Sequence, residues 1–266
     1  MPKSPPYLRR LLPVLAVIVC AIGVAVWASG RTAIPAGFDY RIVKSYPHDR
    51  AAYCQGLVYE DGVLYEGTGR YGESTLRQVD LATGQVQRQV ALDRAIFGEG
   101  ITVWNNSIVQ LSWKENVAFI YDKRTFAQTG KFRYTGEGWG ITHDHRYWIV
   151  SDGSPTLRFF DPQTYQVVRR VTVRDGERRV RYLNELEYVQ GEIWANVWYQ
   201  DYLVRISPQT GNVLGYLDLS RLWPISERPD REAVLNGIAF DPTTGHLLVT
   251  GKNWPQLFEL ELIPRR

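Results

Sequence analysis

Phe97-Gly98-Glu99-Gly100-Ile101-Thr102 sets one carboxylate between two glycines in an apolar stretch, and relatives of this opening recur along the chain. They are Gln55-Gly56-Leu57-Val58, Trp139-Gly140-Ile141-Thr142, Asn184-Glu185-Leu186-Glu187 and Asn236-Gly237-Ile238-Ala239. Aligned on Gly56, Gly100, Gly140, Glu185 and Gly237, the openings lie 44, 40, 45 and 52 residues apart. A period near forty, filled with short apolar runs, is the spacing of repeated four-stranded units.

The interior of each unit supports the same reading. A second β-rich run follows every opening: Val63-Leu64-Tyr65, Ser107-Ile108-Val109, Tyr147-Trp148-Ile149, Ile193-Trp194-Ala195 and Leu247-Leu248-Val249. Turn residues such as Asp61-Gly62 and Asn105-Asn106 bound these runs. A third run ends at Asp80, Asp122, Asp161 or Ser207, each followed by a turn that closes on Thr83, Thr125, Thr164 or Thr210. The fourth, Gln85 to Leu92 or Val167 to Val173, alternates polar and apolar as an outer strand should. The fold class is therefore all-β, a five-bladed β-propeller. The competing reading is a β-sandwich whose turns are spaced by coincidence.

The fifth unit ends at Leu257 to Leu262 without a fourth strand, while Tyr40 to Tyr46, ahead of the first unit, has no blade of its own. Pairing that N-terminal segment onto the last blade as its outer strand would close the ring and remove an open edge. The insertion Leu222 to Arg231, with two prolines and several charges, reads as a surface loop.

Composition agrees: 9 Trp, 16 Tyr and 23 Gly beside one Met suit many short strands and tight turns, and 44% hydrophobic with 22% charged residues excludes disorder. Residues 1–30 stand apart. Lys3, Arg9 and Arg10 precede the apolar run 11–28, interrupted only by Pro13. This is an export signal cut after Ala28 or a retained membrane anchor, and the sequence leaves both open. Cys20 lacks the small preceding residue of a lipidated cysteine. Residues 31–266 are expected to form the propeller domain outside the cytoplasm, periplasmic or held at the extracytoplasmic membrane face, as a monomer. Beyond residue 30, 28 basic residues face 28 acidic ones, so no nucleic-acid surface is implied. Cys54 is the one cysteine of that region and is expected to pack rather than react.

In a propeller the inner strands start, and the second strands end, at the same mouth of the central channel. The residues just before or within the openings are Gln55, Glu99, Trp139, Asn184 and Asn236; those at the second-strand ends are Glu66, Trp113, Ser151, Asp152, Trp198, Lys252 and Trp254. Among the openings Glu99 is the only acid before the aligned position, and a Gly-flanked carboxylate there is either solvated or lifted in pKa by desolvation. Metal chemistry has little support, since only His143-Asp144-His145 clusters histidines, in a turn.

Taken with Leu111-Ser112-Trp113, Gly138-Trp139-Gly140, Ser151-Asp152-Gly153-Ser154, Asn196-Val197-Trp198 and Thr250-Gly251-Lys252-Asn253-Trp254-Pro255, the openings resemble the glutaminyl cyclases of the plant and bacterial type, in order, from about residue 40 to 262. The resemblance implies a five-bladed propeller that converts the N-terminal glutamine of peptides or proteins to pyroglutamate and releases ammonia, with no metal and no cofactor. It implies Glu99 as the acid-base carboxylate and Lys252 as a second catalytic residue, with Gln55, Phe97, Trp113, Trp139, Asn184 and Trp198 lining the substrate pocket. Where the family has Phe-Thr-Gln-Gly, this chain has Tyr53-Cys54-Gln55-Gly56, which adds a hydroxyl. Two other classes remain open at this point: a calcium-dependent lactonase-like hydrolase using Glu99, Asn184 and Asn236 as oxygen ligands, and a non-catalytic peptide-binding propeller.

Overall fold

A computed structural model describes residues 37–265, and in it each opening starts a four-stranded antiparallel sheet. Residues 1–30, with the candidate anchor 11–28 and Cys20, lie outside the described residues. Strand β1 (Phe38–Pro47) precedes blade one, built outward from β2 (Cys54–Glu60) through β3 (Val63–Thr68) and β4 (Thr75–Val79) to β5 (Val86–Ala91). Blade two is β6 (Gly98–Trp104), β7 (Ser107–Ser112), β8 (Val117–Asp122) and β9 (Gln128–Arg133). Blade three is β10 (Ile141–His143), β11 (Trp148–Val150), β12 (Thr156–Phe160) and β13 (Val167–Thr172). A small hairpin, β14 (Arg174–Asp175) and β15 (Arg178–Arg179), follows, and nothing in the repeat pattern announced it. Blade four is β16 (Leu183–Val189), β17 (Glu192–Val197), β18 (Tyr202–Ile206) and β19 (Val213–Asp218).

Blade five confirms the expected closure. It contains β20 (Leu235–Asp241), β21 (His246–Gly251) and β22 (Gln256–Pro264), and β1 adds to it as the outermost strand. The register runs from Phe38 opposite Pro264 to Pro47 opposite Gln256, with a bulge between Ile42 and Lys44. Just beyond β1, His48 stitches blade five to blade one. Its backbone N–H reaches Pro255 O at 3.0 Å, its Nδ1–H donates to Trp254 O at 2.7 Å, and its Nε2 meets the Glu66 carboxylate at 3.0 Å.

The core is divided among the five seams between blades. Tyr65 and Leu76 of blade one pack on Ile101, Val103 and Ile108 of blade two; Val109 and Leu111 meet Ile141, Trp148 and Phe160; Ile149 and Phe159 meet Leu186, Ala195 and Val204. Trp194 and Leu203 pack on Leu235, Leu247 and Phe258, and Ala239 and Leu248 complete the ring against Cys54, Leu57 and Leu64. Such wedges explain why the inner strands are buried along most of their length. Of the two outer strands read as alternating, β13 does alternate between more and less buried positions, whereas β5 is exposed along nearly its whole length, because no further layer covers it.

The Asp-to-Thr turns close as the residue types dictate. Asp80 Oδ1 accepts both the N–H and the hydroxyl of Thr83 at 2.8 and 2.7 Å, and Asp122 does the same for Thr125 at 2.7 and 2.7 Å. The insertion between blades four and five is not simply a surface loop. Around a 3-10 turn at Ile225–Glu227 it drives Trp223 into the core, 5.6 Å from Trp254, while Arg228 clamps it by donating to Trp223 O and Asp201 Oδ1, each at 2.7 Å.

Candidate active site

The inner strands begin irregularly, and that irregularity builds the site. Ladder register breaks between Cys54 and Gly56, between Gly98 and Ile101, between Leu183 and Leu186, and between Leu235 and Ile238. The residues inside these breaks are Gln55, Glu99, Asn184 and Asn236 with their neighbours. A bulge frees a residue from the ladder and re-aims its side chain. In blade three the corresponding pair, Trp139-Gly140, precedes β10 and is held by Trp139 N–H to Ser151 O at 3.0 Å and Ser151 N–H to Gly140 O at 3.0 Å.

The freed polar groups form a chain of hydrogen bonds. Asn236 Nδ2 donates to Gln55 Oε1 at 3.2 Å and to Cys54 O at 2.9 Å, and Gln55 Nε2 donates to Glu99 Oε1 at 3.1 Å. Glu99 is 4% exposed. Burial lifts its carboxyl well above the usual range against the pull of Lys252, and the charges of Glu137 and Glu115 push the same way. Lys252, equally buried, is depressed by desolvation and held up chiefly by Glu99. Its Nζ sits 4.7 Å from the centre of the Tyr53 ring and 6.0 Å from that of Trp198.

Aromatic rings wall this polar floor. Phe97 meets Trp113 at 5.4 Å, Trp139 meets Trp198 at 5.6 Å, and both contacts are edge-on. Glu137 joins the two pairs: its Oε2 accepts the indole N–H of Trp113 and that of Trp139, each at 2.8 Å. The sequence reading overlooked Glu137, although Gly136-Glu137-Gly138 carries the same glycine flanks that singled out Glu99. Asn184 joins the floor from blade four. Its carbonyl takes the Ser151 hydroxyl at 2.6 Å, and its Oδ1 is buried with no hydrogen-bond partner among the described residues. Asn236 Oδ1 and Trp198 Nε1 are in the same condition. Buried polar atoms left open at one pocket are what a polar ligand would satisfy.

Glu99, Lys252, Gln55, Phe97, Trp113, Trp139, Asn184 and Trp198 thus sit around one pocket. Other residues grouped with them from sequence do not. Trp254 is fully buried and turned into the seam, its indole N–H on Ala233 O at 3.1 Å, and Glu66 is committed to His48. Ser151 and Asp152 brace the backbone, the first on Asn184 O and the second by accepting the Ser154 N–H at 3.0 Å, while Asp152 also pairs with the Arg158 side chain at 3.6 Å. The Tyr53 hydroxyl, a departure from the resembled motif, donates to Glu232 Oε2 at 3.3 Å, so a partner just after the inserted segment absorbs it. Cys54 is wholly buried, with its thiol pushed well up by desolvation, and it packs as expected.

A family model described as glutamine cyclotransferase matches residues 14–262. The chain belongs to the glutamine cyclotransferase family. It is 42% identical over 228 residues to a glutaminyl-peptide cyclotransferase of Arabidopsis thaliana, covering 84% of this chain and 71% of that protein. Its fold superposes on the crystal structure of Myxococcus xanthus glutaminyl cyclase with a TM-score of 0.81 and 35% identity, over 86% of this chain and 98% of that one. Within this family assignment, the bulged openings and the tryptophan wall define the candidate active site of a cyclotransferase propeller.

Proposed function

We propose that this chain is a glutaminyl-peptide cyclotransferase that closes the N-terminal glutamine of a peptide or protein to pyroglutamate and releases ammonia, using Glu99 to move the proton. The observation that carries the mechanism is the Glu99 carboxyl, buried at the floor of an aromatic pocket beside a depressed lysine. Family membership supports this reading over a lactonase-like hydrolase or a non-catalytic binder.

The reacting groups belong to one substrate, so orientation is the main barrier. Trp113, Trp139 and Trp198 hold the glutamine side chain folded back and exclude water. The α-amine, with an ordinary pKa of roughly 7.7–8.0, binds as its ammonium against Glu99. Loss of a proton to Glu99 frees the amine lone pair, which bonds to the side-chain amide carbon and pushes the carbonyl electrons onto oxygen. Lys252 Nζ and the open indole N–H of Trp198 supply donors for that oxygen. Gln55 is a poorer choice, because its amide already serves Glu99 and Asn236. As the carbonyl re-forms, the carbon–nitrogen bond to the original amide breaks and Glu99 returns its proton to the departing nitrogen, then takes the second proton from the newly bonded ring nitrogen and passes it to the released ammonia, which leaves as ammonium. A carboxyl lifted toward working pH can act as base and then as acid. Asn184 Oδ1 is an acceptor for the substrate's N–H groups.

The chemistry uses side chains alone, with no metal ion, and residues 1–30 deliver the propeller outside the cytoplasm, where it acts as a monomer on emerging peptides. Ammonia release from a glutamine-initiated peptide tests the proposal, with and without chelator. Glu99→Gln is expected to lose about 10²–10⁴-fold in kcat, and the wild-type rate is expected to survive the chelator. Undiminished turnover by the variant would remove Glu99 from the mechanism.

A further inference from the structure

The five aligned openings carry glycine at four positions and glutamate at one. The structure gives the glycines a physical reason. A Cβ on Gly56 would lie 2.4 Å from Ile101 N and 2.9 Å from Gly100 Cα. On Gly100 it would lie 2.7 Å from Trp139 O and 2.8 Å from Gly140 Cα, and on Gly140 2.1 Å from Asn184 O and 2.8 Å from Glu185 Cα. From blade one to blade four, then, each inner strand rests on the backbone of the next. At blade four the aligned residue is Glu185 instead, and at blade five Gly237 has a φ of +122°, with an added Cβ 3.0 Å from Cys54 Sγ.

Glu185 is fully buried, and its carboxylate reaches two other blades. Oε2 accepts the N–H of Ile238 on β20 at 2.8 Å, and Oε1 accepts that of Leu57 on β2 at 3.4 Å. Both donors sit two residues beyond a floor amide: Asn236 precedes Ile238 in the break of β20, and Gln55 precedes Leu57 in the break of β2. Those amides are joined to each other and then to Glu99. On the rest of its surface Glu185 faces Glu187, two residues along its own strand, and lies near Cys54 of β2.

We propose that Glu185 is a positioning residue for the cyclisation, its carboxyl group bridging the inner strands of blades five and one and fixing the two strand openings whose amides aim Glu99. The inference rests on the proposed cyclotransferase activity. Glu185 does not touch substrate; it acts through Gln55 and Asn236. Glu187 offers a matched comparison, since its Oε1 accepts Phe240 N–H at 3.1 Å on the same strand β20, one step farther from the pocket.

The test compares the full chain with Glu185→Gln and Glu187→Gln, measuring ammonia release and thermal unfolding together. Glu185→Gln keeps the shape but turns one amide hydrogen pair toward a backbone N–H. It is expected to lower kcat about tenfold or more with KM within about twofold, whereas Glu187→Gln keeps its kcat at a comparable change in Tm. Equal loss of kcat in the two variants, or a kcat unchanged in Glu185→Gln, overturns the assignment. If Glu185→Gln fails to fold, Glu185→Asp, which keeps the carboxyl group one methylene short, is scored by the same kcat and KM criteria. A wild-type chain inactive on the peptide would refute the cyclotransferase reading itself; an active wild type with an unimpaired Glu185→Gln refutes only the positioning role.

Discussion

At the scale of single residues, the site turns on Glu99, whose carboxyl burial lifts, and on the carboxylates around it. Glu137 is the one that sequence inspection passed over, and its effect is double. It holds two indoles with one oxygen, and its negative charge helps raise Glu99. Glu137→Ala removes both. The freed indoles are partly exposed and water replaces part of each lost bond, so KM should rise by an order of magnitude at most, from about 1 kcal/mol of lost positioning. With a like charge gone, the Glu99 pKa falls, and the acid limb of the kcat/KM profile should move to lower pH. A pH series on the peptide assay reads both effects, and an unmoved acid limb would contradict this account of the Glu99 environment. The sequence made Glu99, Lys252 and the tryptophans findable because propeller topology gathers blade openings at one mouth. It could not show which tryptophans face the pocket: Trp113 and Trp198 directly follow their second strands, as Lys252 does in blade five, while Trp254, two residues farther on, finds a carbonyl and a core seam instead.

At the scale of strands and turns, regular repetition was legible and its local failures were not. Alternating runs, Asp-to-Thr turns and the missing fourth strand of blade five could all be read, since each depends on neighbours in sequence. The register breaks that aim Gln55, Glu99, Asn184 and Asn236 depend on contacts between blades, as do the β14–β15 hairpin and the anchoring of Trp223. Closure by β1 carries its own expectation. Removing residues 1–47 would bare the edge of β22 and leave its N–H and C=O groups unpaired. Such a chain should lose cooperative thermal unfolding and associate on size-exclusion chromatography, while one beginning at Gly37 should do neither. Cooperative melting of the shorter chain would show that β1 decorates the ring rather than closing it.

At the scale of the whole molecule, burial makes several carboxyls hold their protons more tightly in the fold than in the unfolded chain. Burial lifts Glu187 to about 8 and raises Glu99 and Glu185 well above the ordinary range. The unfolded chain surrenders these protons near pH 4.3. Between that pH and the folded pKa the native state binds more protons than the unfolded one, so stability falls as pH rises, by up to about 1.4 kcal/mol per pH unit for each such group. Denaturant titrations from pH 5 to 8 should show this decline, and Glu187→Gln should flatten it; an equal slope in the variant would mean that Glu187 titrates normally. The clasp between β1 and β22 has a mechanical consequence as well. Gly37 O accepts the N–H of Arg265, and Phe38 faces Pro264, so the two ends of the described chain leave the ring side by side. Tension applied through those ends would load the ladder one rung at a time, peeling β1 as a zipper opens, instead of shearing all its rungs together. A ring packed along five seams is thus weakest against a pull at the place where it is fastened.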